Sequence, residues 1–286
     1  MRFALLLAAL LLAALALPAL AQSKYPPVLP GAHEEVYKSI GDVELRLWIY
    51  NPPGHAATDS RPAIVFFFGG GWANGSPAQF ENQAKLLAAR GMVAITADYR
   101  VASRHQVKVD SCLRDAKSAL RYVRLNAKRL GIDPNRLAAG GGSAGGHLAA
   151  ATATVPGFEE PGEVEKASSR PNALVLFNPA LVFPASITAE RMGVPADDLS
   201  PFHHLKRGAP PTIIFHGEAD TTVPIDPIKS YRDKAVSLGA KCELVSYPGQ
   251  THGFFNHGRG NNEYYDKTTT RMLAFLTGLG YLAAAR

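Results

Sequence analysis

Gly140-Gly141-Gly142-Ser143-Ala144-Gly145-Gly146 sets the architecture of the whole chain. An apolar run, residues 136–139, leads into it. An Ala/Leu-rich pattern of helical period, residues 147–154, leads out. Residues 141–145 spell G-x-S-x-G, which predicts a strand, a sharp turn with one serine at its apex, and a helix. Such a turn holds its serine in a strained backbone conformation and lifts the hydroxyl clear of the sheet. Small neighbours are required because strand and helix pass close together there. A hydroxyl placed in this way is a nucleophile in waiting. The rest of the chain is then expected to supply a base, a group that orients the base, and donors for a developing oxyanion.

The flanking segments predict the sheet that such a turn needs. Residues 36–39 and 43–50 read as a hairpin around Gly41-Asp42, with Val43, Leu45, Leu47 and Ile49 alternating with Glu44, Arg46, Trp48 and Tyr50. A period of two marks a strand with one face exposed, as at an antiparallel edge. Residues 63–68, 92–97, 173–177 and 212–215 are continuously apolar and suit strands covered on both faces; residues 242–247 form a last strand. Helical patterns lie between them at 80–90, 110–130, 147–154, 226–238 and 262–279. Strands alternating with helices predict an α/β fold, with a mostly parallel eight-stranded sheet, an antiparallel edge hairpin and helices on both faces. Two irregular insertions, 156–171 and 182–211, interrupt the pattern and are expected near the sheet's carboxyl edge, where loops carry sites.

Composition narrows the class. The chain has 286 residues, with 30 Lys+Arg against 24 Asp+Glu and a formal net charge of +6. The basic residues are scattered apart from Lys128-Arg129 and Lys206-Arg207, so no nucleic-acid stripe is expected. Residues 1–21 read as a signal peptide: a basic start, an apolar core too short to span a bilayer, and Ala19-Leu20-Ala21 as a cleavage site. The expected mature chain, 22–286, is then a single catalytic domain without a membrane span, exported to the periplasm or beyond the cell. Cys112 and Cys242 are expected as buried free thiols. Two isolated cysteines cannot make a metal site, so neither metal nor organic cofactor is expected.

His252 and Asp220 complete the chemistry. His252 follows the last predicted strand in Tyr247-Pro248-Gly249-Gln250-Thr251-His252-Gly253-Phe254, and Asp220 follows the preceding one in His216-Gly217-Glu218-Ala219-Asp220. A serine hydroxyl is a poor nucleophile until a base within hydrogen-bond reach takes its proton. The order Ser143, Asp220, His252, each after a strand, is that of the nucleophile-elbow hydrolases. Glu218 is a rival orienter, and Asp226 is expected to cap the helix that follows it. Gly140-x-Gly142-x-x-Gly145 also matches a dinucleotide fingerprint. That fingerprint belongs in a first βαβ unit, whereas this one follows the fifth strand, and the next strand ends in Asn178-Pro179. Phe68-Gly69-Gly70-Gly71-Trp72 follows another buried-strand pattern. The Gly70, Gly71 and Ala144 N–H groups are assigned to the oxyanion hole. No Lys-Ser/Thr follows these glycines, so phosphate cradling is unsupported.

With Phe68 to Trp72, Asp98-Tyr99-Arg100, Gly141 to Gly145, His216 to Asp220 and His252-Gly253-Phe254 in view, the chain resembles the hormone-sensitive-lipase-like α/β-hydrolase esterases. Within that group it is similar to bacterial bifunctional feruloyl and acetylxylan esterases. The resemblance spans about residues 35–280 of the chain. It implies a secreted serine esterase whose partner is a small ester or an acylated polysaccharide, losing acetyl or feruloyl groups. A general short-chain carboxylesterase or lipase, a peptidase of the same fold, and an inactive binding module are the alternatives. The sequence departs from the family pattern in two places. Phe68 stands where the glycine loop usually begins with His, and residues 22–33 show no helical period where lipase-like members carry a cap. A minimal cap and an open site follow. Asp98-Tyr99-Arg100 is expected as a structural ion-pair corner, Asp115 and Arg121 as helix-surface charges. Trp72, Asn178, Phe183 and His203 are expected to line the substrate pocket.

Overall fold

The computed structural model describes residues 25–160, 163 and 167–284. The expected signal peptide therefore lies outside the described residues. Strands β1 (His33–Ile40) and β2 (Val43–Tyr50) form the expected hairpin, turning at Gly41, whose φ is 54°. β3 (Arg61–Phe67) leads through the glycine loop and a 3₁₀ turn, Pro77–Phe80, into α1 (Glu81–Ala89) and β4 (Val93–Ala97). Next come α2 (Ala102–His105), α3 (Val109–Leu125), β5 (Ile132–Gly142) and α4 (Ala144–Thr154). β6 (Ala173–Phe177), α5 (Ala189–Met192), β7 (Thr212–Gly217), α6 (Ile225–Ser237), β8 (Cys242–Tyr247) and α7 (Glu263–Gly278) complete the order. The strands form one sheet in the order β1-β2-β4-β3-β5-β6-β7-β8. β2 pairs antiparallel with both β1 and β4, and every other pairing is parallel. This is the expected α/β-hydrolase sheet. No described helix is long and apolar enough to cross a membrane.

Two apolar layers sandwich the sheet. Ala63, Val65 and Phe67 of β3 pack with α3, α4 and α6, while Ile64 and Phe66 pack with α1 and α7. A strand covered on both faces has no polar face to show, which is why these strands read as continuous apolar runs. β2 departs from expectation: Trp48 and Tyr50, on its supposed solvent face, lie in the layer beneath α1. Aromatic bulk at alternate positions marks a covered face as well as an apolar one does. α3 stops at Leu125, short of the predicted 130. Asn126 caps it, and the Asn126 side-chain amide donates back to the Tyr122 carbonyl at 2.9 Å.

The expected surface charges on α3 are internal. Asp115 and Arg121 are buried. Asp115 takes Lys38 Nζ at 2.8 Å and both Nε and Nη2 of Arg100 at 2.8 Å. Arg121 pairs with Glu159 and Glu163. These charges survive burial because each carries a partner from another segment. They also relocate the first insertion. Glu159 and Glu163 clasp it onto α3, Glu160 pairs with Lys38 of β1, and none of its described residues lines the cavity beside Ser143. Arg100 therefore serves an ion-pair corner, as expected. Cys112 and Cys242 are both buried and unpaired.

The crossing of β3 and α4 is the tightest point near the site. A methyl group on Gly145 would collide with the carbonyl oxygens of Phe67 and Phe68. Backbone atoms cannot rotate out of the way, so Gly145→Ala is expected to destabilise by about 3 kcal/mol, the upper end of ordinary overpacking. Chemical denaturation measures this directly. A loss under about 1 kcal/mol would show that the crossing can open freely.

Candidate active site

Ser143 sits where β5 meets α4, with φ 52° and ψ −118°, a conformation that non-glycine residues adopt only under constraint. Three backbone bonds impose it. Ser143 N–H donates to the Phe177 carbonyl at 2.9 Å, and the Ser143 carbonyl accepts from His147 N–H at 2.9 Å and Ala180 N–H at 3.3 Å. Its Oγ lies 2.9 Å from His252 Nε2, and His252 Nδ1 lies 2.7 Å from Asp220 Oδ2. Three loops, each following a parallel strand, thus bring the three side chains into one hydrogen-bonded line. The other Asp220 oxygen, Oδ1, accepts the Thr222 and Val223 N–H groups at 2.9 Å each.

Asp220 is placed to stay ionised. Its side chain has no exposed surface, and burial alone would push the carboxyl up. The hydrogen bonds from His252 and Val223, with the neighbouring imidazoles, outweigh burial and hold it below the usual carboxylate range. Glu218 plays no part in this line; it is exposed and accepts from the Ser246 hydroxyl at 2.7 Å. Asp226 does not cap α6 either. The cap position is Pro224, and Asp226 lies inside the first turn, paired with Lys229 at 2.8 Å.

The glycine loop lies beside the serine. Gly71 and Ala144 line the cavity next to Ser143. Gly70 has φ 123°, and a Cβ there would strike the Asn74 carbonyl. The Gly70 carbonyl accepts Ala73 and Asn74 N–H at 3.1 Å, which folds the loop into a tight turn. Among the described residues neither Gly70 N–H nor Gly71 N–H donates within the fold.

Phe68 replaces the expected histidine without loosening this loop. Its ring stacks on Tyr99 at 4.1 Å, and the Tyr99 hydroxyl donates to the Phe68 carbonyl at 2.7 Å. A polar bridge supplies the rest. Gly69 N–H donates to Gln79 Oε1 at 2.6 Å, Gln79 Nε2 to Asn256 Oδ1 at 3.0 Å, and Asn256 Nδ2 to the Gly253 carbonyl at 2.9 Å. The glycine loop and the His252 loop are thereby held to each other. Gln79→Leu strands the Gly69 N–H at a cost of about 1–3 kcal/mol. It is expected to lower kcat about ten-fold with a smaller change in KM. Steady-state kinetics on a neutral ester check this, and an unchanged kcat would show that the bridge positions nothing.

The cavity beside Ser143 has a volume of about 310 Å³ and a mainly apolar wall that includes Trp72, Phe183, Ile187 and Val223. Trp72 and Phe183 therefore lie where the sequence put them, edge to face with ring centroids 5.9 Å apart. Asn178 does not line the cavity. It is fully buried, and its Oδ1 accepts Gly253 N–H at 3.0 Å, which makes it a support for the His252 loop. His203 is also elsewhere, 3.3 Å from Asp197 and partly exposed. The second insertion does reach the site, bringing Phe183, Ile187 and Arg191.

His147, unremarked in the sequence, holds Trp72 in place. Trp72 Nε1 donates to its Nδ1 at 3.1 Å, so its Nε2 carries the proton and donates to the Leu199 carbonyl at 2.9 Å. Burial pushes the imidazole down to about 4. An unfolded chain titrates near the ordinary value of 6.5, so unfolding takes up a proton between these limits. The contribution is whole above about pH 6.5 and is lost as pH falls through about 4. His147→Gln, whose amide can accept and donate in the same places, removes that term. The stability difference between wild type and variant is expected to shrink by about 3 kcal/mol from pH 7 to pH 4. A difference that does not move with pH would place the proton elsewhere.

Comparison with known proteins agrees with this geometry. The family model described as BD-FAE matches residues 47–176, and that of the dienelactone hydrolase family matches residues 195–279. The chain is 31% identical to the esterase LipC of Mycobacterium tuberculosis over 69% of its own length and 54% of that protein. It is 28% identical to the carboxylesterase NlhH of the same organism, covering 82% of this chain and 80% of that one. It spans about half the length of the first curated relatives it matches. Among solved structures, Thermogutta terrifontis esterase 2 superposes with a TM-score of 0.89 at 51% identity, covering 92% of this chain and 100% of that one. A strained serine, an imidazole and a carboxylate in line beside a glycine loop, in a chain matched over 92% of its length by a solved esterase, have one reading: the chain belongs to the α/β-hydrolase esterases.

Proposed function

We propose that this protein is an exported serine carboxylesterase that removes acetyl or feruloyl groups from polysaccharide. The observation that carries the reaction is the unbroken line from Ser143 Oγ through His252 to Asp220, opening on an apolar cavity. Ser143 attacks the ester carbonyl while His252 Nε2 takes its proton. The Gly70, Gly71 and Ala144 N–H groups receive the oxyanion, and Ala144 adds the positive end of α4. His252 passes the proton to the leaving alcohol, Asp220 stabilising the imidazolium. Water, activated by His252, then releases the acid.

A general short-chain carboxylesterase is the second reading. The Thermogutta esterase, similar over nearly the whole chain, has structures with propionate bound and with butyrate bound. Acid release from acetylated xylan, feruloylated arabinoxylan and a short triglyceride, measured side by side, separates the two. Polysaccharide esters turned over at least as fast as the triglyceride support the first reading. Triglyceride turnover with untouched polysaccharide supports the second. Export is tested separately, by finding processed chain outside the cytoplasm.

A further inference from the structure

Arg191 is the only charged residue lining the cavity beside Ser143 among the described residues. It comes from α5, in the insertion between β6 and β7, and it is exposed. Exposed arginines usually wander, but this one is held. Its Nη2 donates to the Gly71 carbonyl at 3.1 Å, and the guanidinium lies 5.6 Å from the centroid of the Trp72 ring. Trp72 is fixed in turn by His147. Among the described residues the Arg191 side chain bonds only to the Gly71 carbonyl, and no carboxylate, its exposed neighbour Glu190 included, pairs with it. The cavity thus has an apolar wall, a nucleophile, and one pre-positioned cation at its mouth with donors to spare.

We propose that Arg191 is a carboxylate subsite, and that the preferred substrates are esters that also carry a carboxylate, on either the alcohol or the acyl side. The inference rests on the ester-hydrolase reading and narrows its substrate class, for a polysaccharide to one that bears acid groups. The guanidinium fork matches a carboxylate edge-on. Because Gly71 and Trp72 already immobilise it, an incoming anion meets less ordering cost than at a free arginine. A neutral ester gains nothing from the contact. An anionic one gains both attraction to the mouth and a fixed orientation, with its ester carbonyl beside Ser143.

The test compares matched pairs that differ only in charge. For the alcohol side the pair is meta-acetoxybenzoate and meta-acetoxybenzamide. For the acyl side it is mono-para-nitrophenyl adipate and the corresponding amide ester. The expected ratio of kcat/KM, anionic over neutral, is about five in at least one pair at low salt. It is expected to fall toward one between ~0.01 M and ~1 M salt. Arg191→Gln is expected to abolish the ratio, and Arg191→Lys to retain part of it. The pair that shows the effect identifies the side on which the carboxylate sits. A ratio at or below one in both pairs overturns the proposal, as does a ratio that Arg191→Gln leaves intact. An equal loss on both members of a pair in that variant would make Arg191 a brace for Gly71 and also overturn it. The wild-type ratio and its salt dependence decide the matter even if the variant does not fold. Labelling of Ser143 by a neutral fluorophosphonate keeps the outcomes distinct: label with no charge preference sinks only the subsite, and no label sinks the ester-hydrolase reading itself.

Discussion

Ser143→Ala is expected to lose on the order of 10⁶ in kcat on a neutral ester. The magnitude follows from the line of contacts. His252 Nε2, 2.9 Å from the hydroxyl, loses the nucleophile it is placed to deprotonate, and Asp220 then orients a base without its partner. Groups that act as one unit fail together, so no partial activity is expected from the remaining two. Any residual rate comes from the Gly70, Gly71 and Ala144 donors acting on a bound ester attacked by water. The fold is expected to survive, because the backbone bonds that shape the turn, from Ser143 N–H to Phe177 and from His147 and Ala180 N–H to the Ser143 carbonyl, need no side chain. Steady-state kinetics with a denaturation curve beside them make the check. A variant that retains even one tenth of the activity would require another nucleophile.

Asp220→Asn carries the second largest effect, roughly 10⁴-fold in kcat near neutral pH. The amide is close to isosteric, so packing is spared and the loss reports chemistry. Asp220 Oδ1 accepts Thr222 and Val223 N–H, which orients the side chain and leaves Oδ2 for His252 Nδ1. An asparagine keeps its oxygen toward those two donors and turns its NH₂ to the imidazole. His252 then has to accept at Nδ1, and its proton moves to Nε2, the atom that should receive the serine proton. The loss should fall on kcat, with KM changed much less. A loss below about ten-fold would mean that the carboxylate only fills space.

Where the sequence spoke clearly, it did so through steric requirements that few residues meet. The serine turn was legible because β5 and α4 tolerate only glycine where they cross, and the order of the three catalytic candidates follows from strand succession. The strands sandwiched between helices were legible because nothing polar can sit on either face. Side-chain partnerships between distant segments left no such trace. Asp115 and Arg121 read as solvated helix charges because their partners Lys38, Glu159 and Glu163 lie 38 to 77 residues away. Asn178 was expected in the pocket, yet it is buried with its Oδ1 accepting Gly253 N–H. Gln79 and Asn256, 177 residues apart, carry no motif at all. Phe68 shows the same limit from the other side. The motif shows only the missing imidazole, while Tyr99, Gln79 and Asn256, none of them in it, together hold the loop.

Nucleophilicity at one named atom is the heart of this account, and covalent capture measures it most directly. The intact protein is incubated at neutral pH with a fluorophosphonate and digested, and the modified peptide is sequenced by mass spectrometry. One adduct per chain on Ser143 is the predicted result, with labelling suppressed in Asp220→Asn. An adduct on a different residue, or a folded wild-type chain whose Ser143 stays unmodified, would contradict it.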